Sequence, residues 1–422
     1  MFVENAFPND PRVKNECDVL TEAGYQVTVV ALAKKGQTRS ETVDGVKVYR
    51  VPRLELFRKL PIENPTLVER LLIRLKSLLG YIVEYVYFTS ACFAMSLYVA
   101  ATRGFDVIHA HNPPDTLFLV ALPYKLLGKK YVFDHHDLCP ELYRSRYGAA
   151  HDWLARTLQI VERGNLKLAD ITIATNESYK QVHIQRGGRR PESVFVVRNG
   201  PNRNRMNLAD PCRRLRGMDK TILCYVGSLN PQDGVDYLLR SLRHLRFDLQ
   251  RTDFHCVIIG SGDSLEDLQK LTRKLDLNGH VELTGYIPDK QLQENLAAAD
   301  ICVDPDPSSP LNDVSTWIKI MEYMAYGKPI VTYDLKETRY SAQDAAVYVE
   351  PNREEKFAEA IAQLMDRPDL RKKMGEFGRQ RVENELQWLK VSRNLVLAYQ
   401  QLFSRQNRKA TQKTWSYSEP RH

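Results

Sequence analysis

At 422 residues the chain is too long for one hydrophobic core, so two domains are expected. Its 43% hydrophobic and 27% charged residues are ordinary for a globular protein. The net charge of +8 suits an anionic partner, a phosphorylated substrate or a membrane surface; nucleic acid ranks last, because no basic run with interleaved aromatics appears.

The start, Met1-Phe-Val-Glu-Asn-Ala-Phe-Pro8, meets an acid and a proline at once, unlike a signal peptide. Met1 to Val3 reads as a strand fragment, too short for a central strand. Arg12 to Ala23 reads as a helix stopped by Gly24, followed by strands Val27–Ala31 and Val46–Val51. Leu78 to Ala101 is long and apolar, with Glu84 inside it. Upstream, Arg58, Lys59, Arg70, Arg74 and Lys76 lie among leucines. Three readings stay open: a core or interdomain helix, a helix lying on an anionic membrane, and a membrane span. Asp106–His111, Lys130–Asp134, Ile171–Ala174 and Val194–Val197 complete a first set of short apolar runs. The turn-rich stretch Asn199 to Pro211 reads as the interdomain link.

A second set follows: Ile222–Val226, His255–Ile259, Val281–Thr284, Ile301–Val303 and Pro329–Tyr333. Strands alternating with helices predict parallel sheets covered on both faces. Gly, His and Asp gather at the strands' carboxyl ends, where such sheets bind ligands. The expected fold class is α/β, with two facing Rossmann-like domains and a cleft between them. Residues 1–205 form the first domain and 206–385 the second. Residues 386–405 read as a helix returning to the first, and 406–422 as a disordered basic tail. The seven cysteines form no C-x-x-C pair and read as buried thiols in a reducing compartment.

Lys319-Ile-Met-Glu-Tyr-Met-Ala-Tyr-Gly-Lys-Pro-Ile-Val331 reads as a helix ending on Gly327 and turning into a buried strand. Glu322 is the one acid in the helix body, and a carboxylate there is costly to bury without a hydroxyl or cation. No Ser-His-Asp or Cys-His arrangement stands out as a nucleophile, and no metal cage is visible.

The order of Asp10-Pro-Arg-Val13, Asp106-Val-Ile-His-Ala-His111, Asp134-His-His-Asp137, Arg198-Asn-Gly200, Tyr225-Val-Gly227, Gly260-Ser-Gly262 and the Glu322 helix resembles the family-4 glycosyltransferases, which have the GT-B fold. The resemblance runs from about Phe2 to Phe403. It implies retaining transfer of a sugar from a nucleotide diphosphate, UDP ahead of GDP, without a metal or other cofactor. The donor would sit on the second domain and a lipid-linked or saccharide acceptor on the first. Closest in texture are bacterial enzymes of exopolysaccharide and O-antigen (lipopolysaccharide) assembly, which implies a cytoplasmic protein at the inner face of the plasma membrane. Glu322 matches the acid that holds the donor ribose hydroxyls. Gly227, Ser228, Gly260, Gly262 and Tyr286 would surround the nucleotide. Ser315, Thr316 and Trp317 would open the helix, their amides facing the diphosphate. His136 matches the histidine near the transferred sugar. Arg12, His111, Asp115 and Arg198 lie on the acceptor side.

Two features, at three positions, depart from the family pattern. The acid expected eight residues before Glu322 is Val314; Asp313 is adjacent, to be read either as its replacement or as a helix-capping aspartate. The cations expected to clamp the diphosphate are Ser228 and Asp233. That role passes to Lys319, the helix amides and Arg12 or Arg198. Two alternatives stay open: an inactive partner subunit with this fold, and a sugar-nucleotide epimerase.

Overall fold

In this computed structural model, which describes residues 1–54, 67–148, 152–201 and 209–404, the apolar runs assemble into two sheets, one per half of the chain. The first half supplies β1 (Phe2–Val3), β2 (Thr28–Leu32), β3 (Ser40–Val43), β4 (Val46–Val51), β5 (Val107–His111), β6 (Lys130–His135), β7 (Ile171–Ala174) and β8 (Val194–Val196). Their order is β3-β4-β2-β1-β5-β6-β7-β8, parallel except for the β3–β4 hairpin. The second half supplies β9 (Thr221–Val226), β10 (Phe254–Ile259), β11 (Val281–Gly285), β12 (Ile301–Asp304), β13 (Ile330–Tyr333) and β14 (Ala346–Val349). They run β11-β10-β9-β12-β13-β14, all parallel. These are the two expected Rossmann-like domains.

The strand fragment at the start is central after all. Phe2 pairs with Val30 on one side and Ala110 on the other. Two residues suffice there because both neighbours complete the ladder. The amino group of Met1 also donates to the Thr28 carbonyl at 2.7 Å.

Helices cover the sheets: α1 (Pro11–Glu22), α2 (Leu67–Thr102), α3 (Phe118–Leu126), α4 (Cys139–Tyr147), α5 (Asp152–Leu168), α6 (Glu177–Gln185), α7 (Val235–Arg243), α8 (Leu265–Lys274), α9 (Asp289–Ala298), α10 (Ile318–Ala325), α11 (Lys336–Ala342), α12 (Glu354–Met365), α13 (Pro368–Arg381) and α14 (Arg393–Ser404). Leu395, Ala398, Tyr399 and Leu402 of α14 pack with Val13, Cys17 and Leu20 of α1, so the last helix closes the core of the first half. Trp388 joins them and presses on Gly200, where an added Cβ would lie 3.2 Å from the Trp388 backbone. The cysteines are free thiols, and burial pushes the Cys17 and Cys224 thiols up to about 12.

Within α2, Ile82–Thr102 is long and apolar enough to cross a membrane by length and composition. One face buries Phe88, Cys92 and Val99; the other exposes Val86, Leu97 and Tyr98. Arg58, Lys59 and the 406–422 tail lie outside the described residues.

Candidate active site

The carboxyl ends of β5 and β6 deliver His109, His111, Asp134 and His136 to one place. The Asp10 carboxylate caps α1, accepting from the Arg12 and Val13 amides at 3.1 Å, and so sets Arg12 in the first turn above them. Arg12 donates from Nη2 to Asp134 at 2.9 Å, and from Nη1 to the Val197 carbonyl at 2.9 Å and Asn199 at 2.7 Å. Its Nε lies 3.0 Å from His136 Nε2 and 3.1 Å from Glu16 Oε1. On the far side, His109 Nδ1 meets the Tyr399 hydroxyl at 2.9 Å. This network therefore ties the cleft to the returning helix.

Burial works to raise the Asp134 carboxyl, but Arg12 and the nearby histidines outweigh it and hold it well below the usual range. Burial and the Asp134 charge push Glu16 well above its usual range. Arg12 thus favours the ionised form of Asp134, while burial and that charge favour the protonated form of Glu16. Burial keeps His109 and His111 neutral by lowering both. Glu16, His111, Asp134 and His136 bring ligand-type atoms within 4.8 Å of one another, a convergence the sequence did not reveal. The Arg12 guanidinium stands among them, 2.9 Å from Asp134, 3.0 Å from His136 and 3.1 Å from Glu16.

On the acceptor side, the Arg12 guanidinium is taken up by Asp134, His111 is only 1% exposed and meets His136, which is 18% exposed, at 3.2 Å, and Asp115 is buried and accepts from Asn112 at 3.0 Å. Burial raises Asp115 to about 7. A raised carboxyl pKa costs stability as pH climbs from the unfolded value near 4 to about 7. Asp115→Asn should flatten the fall in stability between pH 4 and pH 7, read by urea midpoints across that range.

The second half carries a similar internal ion group. Lys319 Nζ lies 2.8 Å from Asp304 Oδ1 and 2.5 Å from Asp306 Oδ2, over the rings of Tyr225 and Trp317. Burial works to lower the Lys319 ammonium, but Asp304 and Asp306 outweigh it and raise it well above its usual range. Burial and the Asp304 charge push Asp306 up; Lys319 overcomes burial to hold Asp304 down. The charge of Lys319, expected to meet a diphosphate, is thus balanced here by acids of its own domain. Asp233, at a clamp position, is buried and accepts from the Asn230 amide at 2.9 Å, closing a turn.

Asp313, beside the position of the missing acid, is bonded within its own loop. Its carboxylate accepts from Ser308 Oγ and the Ser309 amide, both at 3.2 Å, and fixes its own loop. Val314 packs instead into an apolar cluster with Leu138 and Tyr179 of the first half. Helix α10 starts at Ile318 with Trp317 as its cap residue, so Ser315 and Thr316 form the turn ahead of it. Asn176 of the first half donates to the Val314 carbonyl at 2.8 Å and to Thr316 Oγ1 at 2.9 Å across the seam. Ser315 donates to the Leu311 carbonyl at 2.7 Å. The indole nitrogen of Trp317 is buried and makes no hydrogen bond. Glu322 sits in α10 just beyond this turn, 4% exposed.

The glycines are packing requirements. A Cβ on Gly260 would lie 1.8 Å from the Gly227 carbonyl oxygen, and one on Gly262 2.4 Å from that of Leu229. Ser228 gives its carbonyl to the Tyr225 hydroxyl at 2.9 Å. Tyr286 is 81% exposed beyond β11. At the other edge of the seam, Arg198 pairs with Glu337 of α11 at 3.0 Å. Sequence reasoning missed Glu16, Asn176, Ser178, Asp306 and Glu337. Asn176 alone carried a signal, as a capping residue between an apolar run and a helix.

Two family profiles match. Residues 11–200 fit the one described as "Glycosyl transferase 4-like domain", and residues 213–381 fit "Glycosyl transferases group 1". The alpha-D-kanosaminyltransferase of Streptomyces kanamyceticus is 28% identical over 160 residues, 37% of this chain and 40% of the relative's length. Among solved structures, sucrose-phosphate synthase from Thermosynechococcus elongatus superposes with a TM-score of 0.72 at 18% identity over 95% of both chains. The Anabaena protein HepE, in complex with UDP, gives a TM-score of 0.65 at 14% identity over 95% of this chain and 99% of its own. The two profiles together cover every strand but β1, and the chain belongs to the GT-B glycosyltransferases, with a 4-like first domain and a group 1 second domain.

Proposed function

We propose that the chain moves a sugar, with retention at the anomeric carbon, from a nucleotide diphosphate donor to a lipid-linked or saccharide acceptor of cell-surface polysaccharide. UDP is the favoured nucleotide, supported by the UDP held in the Anabaena neighbour. The observation carrying the reading is Glu322, a carboxylate buried just behind the turn where the two halves meet. A carboxylate there accepts two vicinal ribose hydroxyls with charge-assisted bonds.

The acceptor hydroxyl attacks from the face the leaving group departs from, and a leaving phosphate oxygen takes its proton. No enzyme nucleophile and no metal are assigned. His136, half-buried at the rim and held by Asp134, bonds a hydroxyl of the transferred sugar. Peripheral seating on an anionic membrane is supported by the exposed Trp153 and Ile160, which share α5 with the cations Arg156, Arg163 and Lys167.

The test is transfer by purified protein from radiolabelled UDP- and GDP-sugars to polyprenyl-diphosphate-linked saccharides. Product from a UDP-sugar is expected. Failure across a broad panel of both nucleotides would contradict the reading.

A further inference from the structure

Three cations were assigned to the cleft from the sequence: Arg12, Arg198 and Lys319. Arg12 is bound to Asp134 and Lys319 to Asp304 and Asp306, each an acid of its own half. Arg198 differs, because its partner lies across the seam. Its Nη2 donates to Glu337 Oε2 at 3.0 Å, and its guanidinium stacks 3.8 Å from the centre of the Tyr340 ring. The other Glu337 oxygen accepts from the Ser178 amide at 3.0 Å and the Ser178 hydroxyl at 2.7 Å.

Those donors form a built anion site. Ser178 sits in the first turn of the nine-residue helix α6, where amides point outward and the helix dipole favours negative charge. Asn176 already satisfies the Tyr179 amide at 2.7 Å, leaving the Ser178 amide for a ligand. Arg198 Nη1 is buried and unpartnered, so the site holds more donors than one carboxylate uses. Arg198 and Ser178 are 6% and 4% exposed, dry enough for charge-assisted bonds to be strong. Meanwhile the usual clamp positions hold Ser228 and Asp233.

We propose that Ser178 and Arg198 are a diphosphate-binding site on the first domain, which Glu337 fills as an internal carboxylate while the halves are together and vacates as they part. The ligand is a diphosphate group, belonging either to the donor nucleotide or to a diphosphate-linked acceptor. The inference rests on the proposed reaction. Glu337 then competes with the ligand, so its removal and the removal of Arg198 act in opposite directions.

The experiment is calorimetric titration of full-length wild type, Arg198→Gln, Glu337→Gln and Glu322→Ala with UDP and, separately, with farnesyl diphosphate. Arg198→Gln should weaken one of the two diphosphates about tenfold or more, as expected for losing a charged hydrogen-bond donor. Glu337→Gln should tighten that same diphosphate several-fold. A response to UDP alone assigns the site to the donor, and a response to farnesyl diphosphate alone assigns it to the acceptor. If both variants weaken binding, the contact is a structural seam and the inference is overturned. It is equally overturned if neither ligand binds, or if neither variant changes either Kd. Should Arg198→Gln behave as wild type while Glu322→Ala loses UDP, this inference falls and the donor reading stands. Should Glu322→Ala keep UDP while Arg198→Gln loses a diphosphate, the donor reading falls and this site stands.

Discussion

Glu322→Ala is expected to weaken UDP binding by about 100-fold, because two charge-assisted hydrogen bonds of roughly 1.5 kcal/mol each are lost. The substitution acts on the donor alone if α10 keeps its place. That helix is anchored by Tyr323, whose hydroxyl accepts from the Val226 amide at 2.8 Å, and by Ile320, Met321 and Met324 in the core. Glu322→Gln separates charge from shape: it fills the same space, so an intermediate loss of about tenfold is expected from losing a charged acceptor. Both are read as Kd for UDP and kcat/KM for transfer. Unchanged values for both variants would place the nucleotide elsewhere.

The largest expected effect on stability is at Asp134. Asp134→Asn deprives the buried Arg12 guanidinium of the carboxylate it pairs with and lifts one of the two causes that hold Glu16, 3.1 Å from Arg12 Nε, above its usual range. Breaking a buried pair by removing one partner costs about 3–5 kcal/mol. The sign follows from the depressed carboxyl. Its contribution is present above the unfolded pKa near 4 and is lost as pH falls through the folded value. Urea unfolding should therefore show a large gap between wild type and Asp134→Asn at pH 7, narrowing at pH 3. The returning helix should loosen with it, because Tyr399 bonds His109, which lies 3.9 Å from Asp134. A variant as stable as wild type at pH 7 would refute the assigned charge state.

The two halves were legible because most strands are short apolar runs, with Gly, His or Asp at the ends of β5, β6 and β9 to β12, in the order a parallel fold requires. Strand β3 was not legible: Ser40-Glu-Thr-Val43 has no apolar run, and it is held as an exposed edge by its hairpin to β4. Glu322 was legible as an acid among apolar residues. The surroundings of Lys319 were not, because Asp304 and Asp306 reach it from the end of β12, on another element. The same holds for Arg12 and Asp134, 122 residues apart. Val314 read as a missing acid because the seam is invisible in sequence; in the structure an apolar side chain is what packs on Leu138 and Tyr179. Local rules gave each element its residues, while the charge balance of the cleft depends on partners that only the folded halves bring together.

The central claim is that Glu322 holds the donor ribose between the two domains, and a crystal structure with bound UDP tests it most directly. The account predicts both ribose hydroxyls within about 3 Å of the Glu322 carboxylate oxygens, ordinary hydrogen-bond range. A nucleotide bound away from α10, with Glu322 making no contact to it, would contradict the account.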